Sequence, residues 1–271
     1  MAGIEGKRAM PKERADRLLC ERGLAPSLEK ARAMLMAGLV SSGGERITKA
    51  GALLDADRAL EVKPTQPFVS RAGPKLAGAL AAFGIDPSGK VAADIGASTG
   101  GFTDCLLERG ARVVYAVDVD TRQIDRKLRA DPRVVLVEKN ARSLAPEDLP
   151  RPPEIVVMDV SFISVLKIIP ALKAIVVPAG VLVVLIKPQF EAPASRVGKG
   201  GIVRDPAVRA EALERVIRGA SESGFALEGL VRSSVRGRGG NVEFLALFSR
   251  RGEGLGPEAR AALIQEVIAD E

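Results

Sequence analysis

The sequence predicts an α/β fold: a doubly wound, mostly parallel sheet, preceded by a small, separate α+β module. Three observations predict it. Apolar, mostly β-branched runs from Val91, Val113, Val134, Ile155 and Val181 alternate with helix-like stretches, as strands buried on both faces do. The first of these runs ends in an acid and a glycine loop, Asp94-Ile95-Gly96-Ala97-Ser98-Thr99-Gly100-Gly101, which opens a helix. Finally, Lys63-Pro64-Thr65-Gln66-Pro67 carries two prolines in five residues, which disfavours either regular structure. Residues 1–62 are therefore expected as one domain, 63–69 as a linker and 70–271 as the second domain.

In the first domain, Lys12 to Arg22 reads as an amphipathic helix with Ala15, Leu18 and Leu19 inward, ending at Gly23. Ser27 can cap a second helix carrying Leu28, Ala31 and Leu35 and closing at Gly38. Leu39-Val40, the turn Ser41 to Gly44, Ile47 and a later run Ala59–Val62 read as short strands. In the second domain, Ser70 caps a helix over Arg71 to Phe83. Helices are expected near Phe102–Arg109, Thr121–Arg129, Phe162–Val176 and Pro206–Ser223 between the strands. Phe225–Val235 and Val242–Phe248 have no helix between them and are expected to pair as an antiparallel hairpin. The whole is a Rossmann-like sheet with a C-terminal hairpin.

Composition narrows the chemistry. With no histidine among 271 residues, a Ser-His-Asp triad, a histidine metal ligand and a histidine base are all excluded. Cys20 and Cys105 are too few for a disulfide framework or a zinc site; they read as small core residues in a reducing cytoplasm, and no metal is expected. The charged N-terminus lacks the apolar stretch of a signal peptide, and the run around Ile175 to Ile186 is too short to span a bilayer. A net charge of +6 fits an RNA or other polyanionic partner. The absence of Trp and the single Tyr argue against an aromatic platform for single-stranded bases.

Ligands of an open α/β sheet lie beyond the carboxyl ends of its parallel strands, which sorts the polar residues. The glycine order after Asp94 is not the G-x-G-x-x-G of a pyrophosphate loop. An acid before the first glycine suits a cationic amino group instead. That favours S-adenosylmethionine as the cofactor, held by Asp94, Gly96, Ala97, Ser98, Gly100, Gly101 and Phe102; a purely structural turn is the alternative. Asp118, 22 residues after Gly96, ends the next strand and can accept from ribose hydroxyls. Asn140 and Ala141 follow the third strand, where an adenine edge can be met. Asp159 and Lys187 end the fourth and fifth. Glu243 reaches the same edge if its strand runs antiparallel, and Lys75 can supply a second ammonium. Two lysines and two acids would then share one cleft. Each has a structural alternative: Lys187 as the first solvated residue after a strand, Asp159 as a helix cap. Glu243 inside an apolar run resists such a reading, because a buried carboxylate needs a partner.

The first domain resembles the S-four-type RNA-binding module over about fifty residues, with Lys12, Arg14, Arg17, Lys30, Arg32 and Arg46 available for phosphates. Across nearly the whole chain, five motifs look like the TlyA family. They are Phe68-Val69-Ser70-Arg71-Ala72-Gly73-Pro74-Lys75-Leu76, the Asp94–Phe102 loop, Val157-Met158-Asp159-Val160-Ser161-Phe162, Ile186-Lys187-Pro188-Gln189-Phe190-Glu191 and Gly240-Asn241-Val242-Glu243-Phe244. That family, also labelled haemolysin A, comprises S-adenosylmethionine-dependent ribosomal RNA 2′-O-methyltransferases. Resemblance to it and to the wider FtsJ-like enzymes implies a Lys-Asp-Lys-Glu catalytic set on Lys75, Asp159, Lys187 and Glu243. It also implies a cytidine ribose as acceptor, with ribosomal RNA or assembled subunits as partner. Ala72 and Pro74 depart from the family pattern, and a proline beside Lys75 is expected to shift that side chain. The N-terminal extension and the tail Gly252–Glu271 look like the longer subclass that modifies both subunits. Two rival classes are a membrane-active haemolysin, which the lack of a spanning segment disfavours, and a non-catalytic RNA-binding assembly factor, which Asp159, Lys187 and Glu243 disfavour.

Overall fold

A computed structural model describes residues 11–63, 67–251 and 254–269, and the chain divides into two units at Gln66/Pro67. Residues 64–66 of the expected linker lie outside the described residues, as do parts of the N-terminal extension and of the tail.

The first unit begins differently from the sequence expectation. Lys12–Arg14 is not the first turn of a helix but a strand, β1, paired antiparallel with β4 (Leu53–Asp55), a strand absent from the sequence reading. Its partner, forty residues on, outcompetes the local helical pattern. Helix α1 (Ala15–Glu21) starts only where the amides of Ala15 and Asp16 donate to the carbonyls of Ala52 and Ala50. Ser27 caps α2 (Leu28–Met36) through the amide of Lys30, as expected. The strands β2 (Val40–Ser42), β3 (Glu45–Arg46) and β5 (Glu61–Val62) form a three-stranded antiparallel sheet. Leu18, Leu19, Ala31, Leu35, Val40 and Leu54 close a small core of their own.

In the second unit, α3 (Ala72–Ala82) precedes β6 (Val91–Ile95), α4 (Gly101–Glu108) and β7 (Val113–Asp118). The expected helix at Thr121–Arg129 is two pieces, a 3₁₀ turn at Thr121–Gln123 and α5 (Arg126–Arg129), because Asp120 and Asp125 each cap a separate start. Next come β8 (Val134–Glu138), β9 (Ile155–Met158), α6 (Ile169–Ile175), β10 (Val181–Ile186), α7 (Pro188–Glu191) and α8 (Pro206–Glu222). The stretch read as one helix from Phe162 begins as a loop and a 3₁₀ turn, Val165–Lys167, before α6. The chain ends in β11 (Ala226–Arg232), β12 (Phe244–Ser249) and α9 (Pro257–Ala269), the last not anticipated.

The sheet order is β11-β12-β10-β9-β6-β7-β8, parallel from β10 to β8, with β12 antiparallel to both β10 and β11. Its two faces carry separate cores. Alternate residues Val91, Ala93 and Ile95 join Met158, Ile169, Leu213 and Phe244 on one side; Ala92 joins Leu76, Phe102 and Leu106 on the other. Strand order reverses between β6 and β9, so the crevice beyond those two strand ends is where a ligand is expected.

Candidate active site

Register brings the site together. Ile95 pairs with Met158, so the residues that follow, Gly96 and Asp159, lie side by side at the sheet edge. Phe244 pairs with Ile186, so Glu243 and Lys187 are neighbours at that same edge, as the antiparallel hairpin requires. Gly96 has φ +81°, and a Cβ there would stand 2.5 Å from the carbonyl oxygen of Asp159. Glycine thus lets the loop turn away and lets the two strand ends meet.

Asp94 faces α4, where Thr103 donates to its Oδ2 twice, from the amide at 2.8 Å and the hydroxyl at 2.7 Å. Its Oδ1 is fully buried with no partner among the described residues. Burial pushes this carboxyl up to about 7, opposed by the Thr103 hydroxyl. An orphaned carboxylate oxygen in a site that favours protonation is what a cationic ligand group would relieve. Asp94 lines a small cavity of about 140 Å³ with Gly96 to Thr99, Gly101, Phe102, Asp159, Ser161 and Lys187. A larger cleft of about 620 Å³ adjoins it through Gly96, Ser98, Asp159 and Ser161, and is lined also by Asp118, Asn140 and Ala141. Asp118 accepts from the amides of Ser98 (2.8 Å) and Asp120 (3.1 Å). Asn140 accepts from the Arg142 amide at 3.1 Å, which fixes its side-chain oxygen locally. Gly100, expected among the cofactor-binding residues, caps α4 at φ +94° and lines neither space; a Cβ there would strike Leu128. The orphaned Asp94 oxygen and the glycine loop fit an amino-acid end, and the larger cleft fits a nucleoside, so the residues present suit S-adenosylmethionine.

The four expected catalytic residues form two ion pairs at this sheet edge. Lys187 Nζ meets Asp159 Oδ1 at 2.6 Å and the Ser161 hydroxyl at 2.8 Å, at the wall of the small cavity. Lys75 pairs with Glu243, both buried, and Gln189 donates to the other Glu243 oxygen at 3.4 Å. Pro74 does not divert Lys75 from this partner, since a proline in the first turn of a helix removes no hydrogen bond the helix needs.

Two contributors were missed. Phe162 has φ +63° and is 84% exposed, the most exposed large apolar side chain described, with its ring 5.2 Å from that of Phe190. Its place at the end of the Val157–Phe162 motif was a signal, but nothing in the sequence shows its exposure or its positive φ. Glu191 accepts from the Ser164 hydroxyl at 2.6 Å and the Val165 amide at 2.8 Å, which ties α7 to the loop carrying Ser161 and Phe162. Burial raises its pKa. Its position in the Lys187–Glu191 motif was the available signal. Among the basic residues of the first unit, Arg14 and Arg32 both bond Asp16, and Arg17 lies 3.8 Å from Glu13; Lys12, Lys30 and Arg46 are exposed.

The family model for FtsJ-like methyltransferases matches residues 68–250, and the S4 domain model matches 13–58. The 16S/23S rRNA (cytidine-2′-O)-methyltransferase TlyA of Mycobacterium tuberculosis is 43% identical over 85% of this chain and 87% of its own. The chain belongs to the TlyA branch of the FtsJ-like methyltransferases. Hemolysin A of Brachyspira hyodysenteriae is also 43% identical, over 87% of this chain and 99% of its own. A Streptococcus thermophilus structure bearing the hemolysin name matches with a TM-score of 0.73 and 41% identity, covering 97% of this chain and 98% of that one. As a family member this chain is a methyltransferase, and the family's cofactor is S-adenosylmethionine. Among the described residues, no helix is long and apolar enough to cross a membrane.

Proposed function

We propose that this chain methylates the 2′-hydroxyl of a cytidine ribose in ribosomal RNA, acting in the cytoplasm on assembled subunits. One observation carries the reading: the Lys187–Asp159 pair lines the same cavity as Asp94, whose buried Oδ1 has no partner among the described residues. Asp94 and the Gly96–Gly101 loop would hold the amino-acid end of the cofactor, and Asp118, Asn140 and Ala141 would hold its nucleoside. S-adenosylmethionine supplies there an electrophilic methyl group. Lys187, once its ammonium has released a proton to solvent, accepts the proton of the ribose hydroxyl through Nζ as that oxygen bonds to the methyl carbon, and Asp159 and Ser161 hold the nitrogen in place. With no histidine in the chain, a lysine is the residue available for this work. The buried Lys75–Glu243 pair, whose acid is the register neighbour of Lys187, fixes Gln189 and adds a second ion pair at this sheet edge. Exposed Phe162 offers a flat apolar face to a base brought to the cleft. The S4 unit supplies contacts to RNA remote from the reacting ribose.

The cytidine and ribosomal assignments rest on the named relatives. Coverage favours both subunits as substrates: the 16S/23S enzyme aligns over 87% of its length, whereas a 23S enzyme from Campylobacter jejuni aligns at 32% identity over 70% of its own. The test is to incubate purified 30S and 50S subunits with the protein and labelled S-adenosylmethionine, then map ribose methylation. Methylated cytidine on each subunit is expected; label on bases, or on neither RNA, overturns the reading. Lys187→Ala should retain cofactor and RNA binding and lose at least about a hundredfold in rate, as removal of a general base does.

A further inference from the structure

Asp16 is the second residue of α1 and is fully buried, yet it is an acid in a unit whose task calls for cations. Two arginines from different elements converge on it. Arg14, at the end of β1, donates from Nε to Oδ1 at 3.0 Å and from Nη2 to Oδ2 at 2.8 Å. Arg32, from α2, donates from Nε to Oδ2 at 3.0 Å. The hydrogen bond from Arg14 holds the Asp16 carboxyl far below the usual carboxylate range, so the trio carries one net positive charge. Both guanidinium-bearing side chains keep about half their surface in solvent, at 43% and 54%, against 1% for the acid between them. Arg32 spends only Nε on Asp16, which leaves both of its Nη groups for another acceptor.

We infer that Asp16 sets Arg14 and Arg32 as a preorganised two-arginine fork that grips RNA phosphate; the inference rests on the RNA-substrate reading above. A free arginine loses rotamer freedom when it closes on a phosphate, and a guanidinium already fixed in its plane has less to lose. Planar N–H pairs match the oxygens of a phosphate, and two such groups on a common carboxylate present them at a set spacing. Asp16 is thereby a positioning residue: it touches no RNA and acts through the arginines.

A fork and simple charge attraction predict opposite signs. Asp16→Asn removes a negative charge from the basic surface, so charge alone makes RNA binding tighter and its salt dependence steeper. The fork makes it weaker, because both guanidiniums come loose. Arg14→Lys with Arg32→Lys keeps the charge and removes the planar donors, so charge alone predicts no change. The experiment is filter binding of the full chain to purified 30S and 50S subunits across a salt series, with melting temperature and S-adenosylmethionine affinity recorded for each variant. Both variants are expected to bind about tenfold more weakly, the double-lysine variant with an unchanged salt slope and both with unchanged cofactor affinity. Wild-type or tighter binding by either overturns the fork. Should Asp16→Asn unfold the first unit, the double-lysine variant decides, since it alters only half-exposed side chains. Failure of the wild-type chain to bind subunits overturns the ribosomal reading as well, whereas wild-type binding matched by the variants overturns the fork alone.

Discussion

A carboxylate shut away from water resists ionising, and Asp94 is fully buried with its pKa pushed up to about 7 from an ordinary 3.8. Because the folded pKa is raised, Asp94 contributes stability that is fully present below about pH 4 and lost as pH climbs through about 7. An ammonium ligand reverses the preference, since it pairs with the ionised form. S-adenosylmethionine affinity should therefore rise as pH passes through about 7, and Asp94→Asn should flatten that rise. The same substitution should weaken cofactor binding about tenfold to a hundredfold, the loss of one charged hydrogen bond, while the protein without cofactor keeps its melting temperature at about pH 8. Calorimetric titration over a pH series measures both; a pH-independent wild-type affinity would sink the assignment. The acid was legible in the sequence because it precedes a glycine loop, but its orphaned oxygen was not, since Thr103 occupies only one side. Likewise the sequence placed Lys75, Asp159, Lys187 and Glu243 at one edge but could not divide them into pairs. Which lysine meets which acid depends on how α3 packs against the sheet.

Elements with strong local signals were readable: Ile155–Met158 and Val181–Ile186 are strands at the expected residues, because buried β-branched runs leave little choice. Elements made by distant pairing were not. β1 and β4 have three residues each and exist through each other, and α9 follows a glycine-rich stretch that reads as a tail. Yet α9 is no appendage: Ile264, Val267 and Ile268 are buried in the larger core, and Arg260 reaches Glu214 of α8 at 3.2 Å. Removing residues 256–271 should take away these buried side chains, uncover the core they cover and cost on the order of 5 kcal/mol, from about 1.5–3 kcal/mol for each apolar side chain whose burial is lost. The half-exposed ion pair adds little to that. Chemical denaturation should show the loss as a lower midpoint, with S-adenosylmethionine affinity intact below the transition, because no residue of α9 lines either cofactor space. An unchanged midpoint would mean that α9 does not cover the sheet as described.

At the scale of the molecule, charge is divided unevenly between the two units. The first 66 residues hold twelve basic and nine acidic side chains, half of the net +6 in about a quarter of the length. The cofactor residues and the Lys187–Asp159 pair all belong to the second unit, and the S4 match falls wholly within the first. Each unit also has its own closed core. Chemistry and RNA affinity should therefore be separable by cutting between them. A chain of residues 67–271 should bind S-adenosylmethionine as the full chain does, while methylation of intact subunits falls by about a hundredfold or more at physiological salt. Counterion release supplies the reason: every phosphate that the shortened chain no longer neutralises takes nearly one unit from the slope of log affinity against log salt, so the deficit should narrow as salt is lowered. Measuring methylation and binding at two ionic strengths tests both expectations. If the shorter chain methylates subunits at the full rate in physiological salt, the second unit recognises RNA unaided. If it loses cofactor affinity as well, the two cores are not independent.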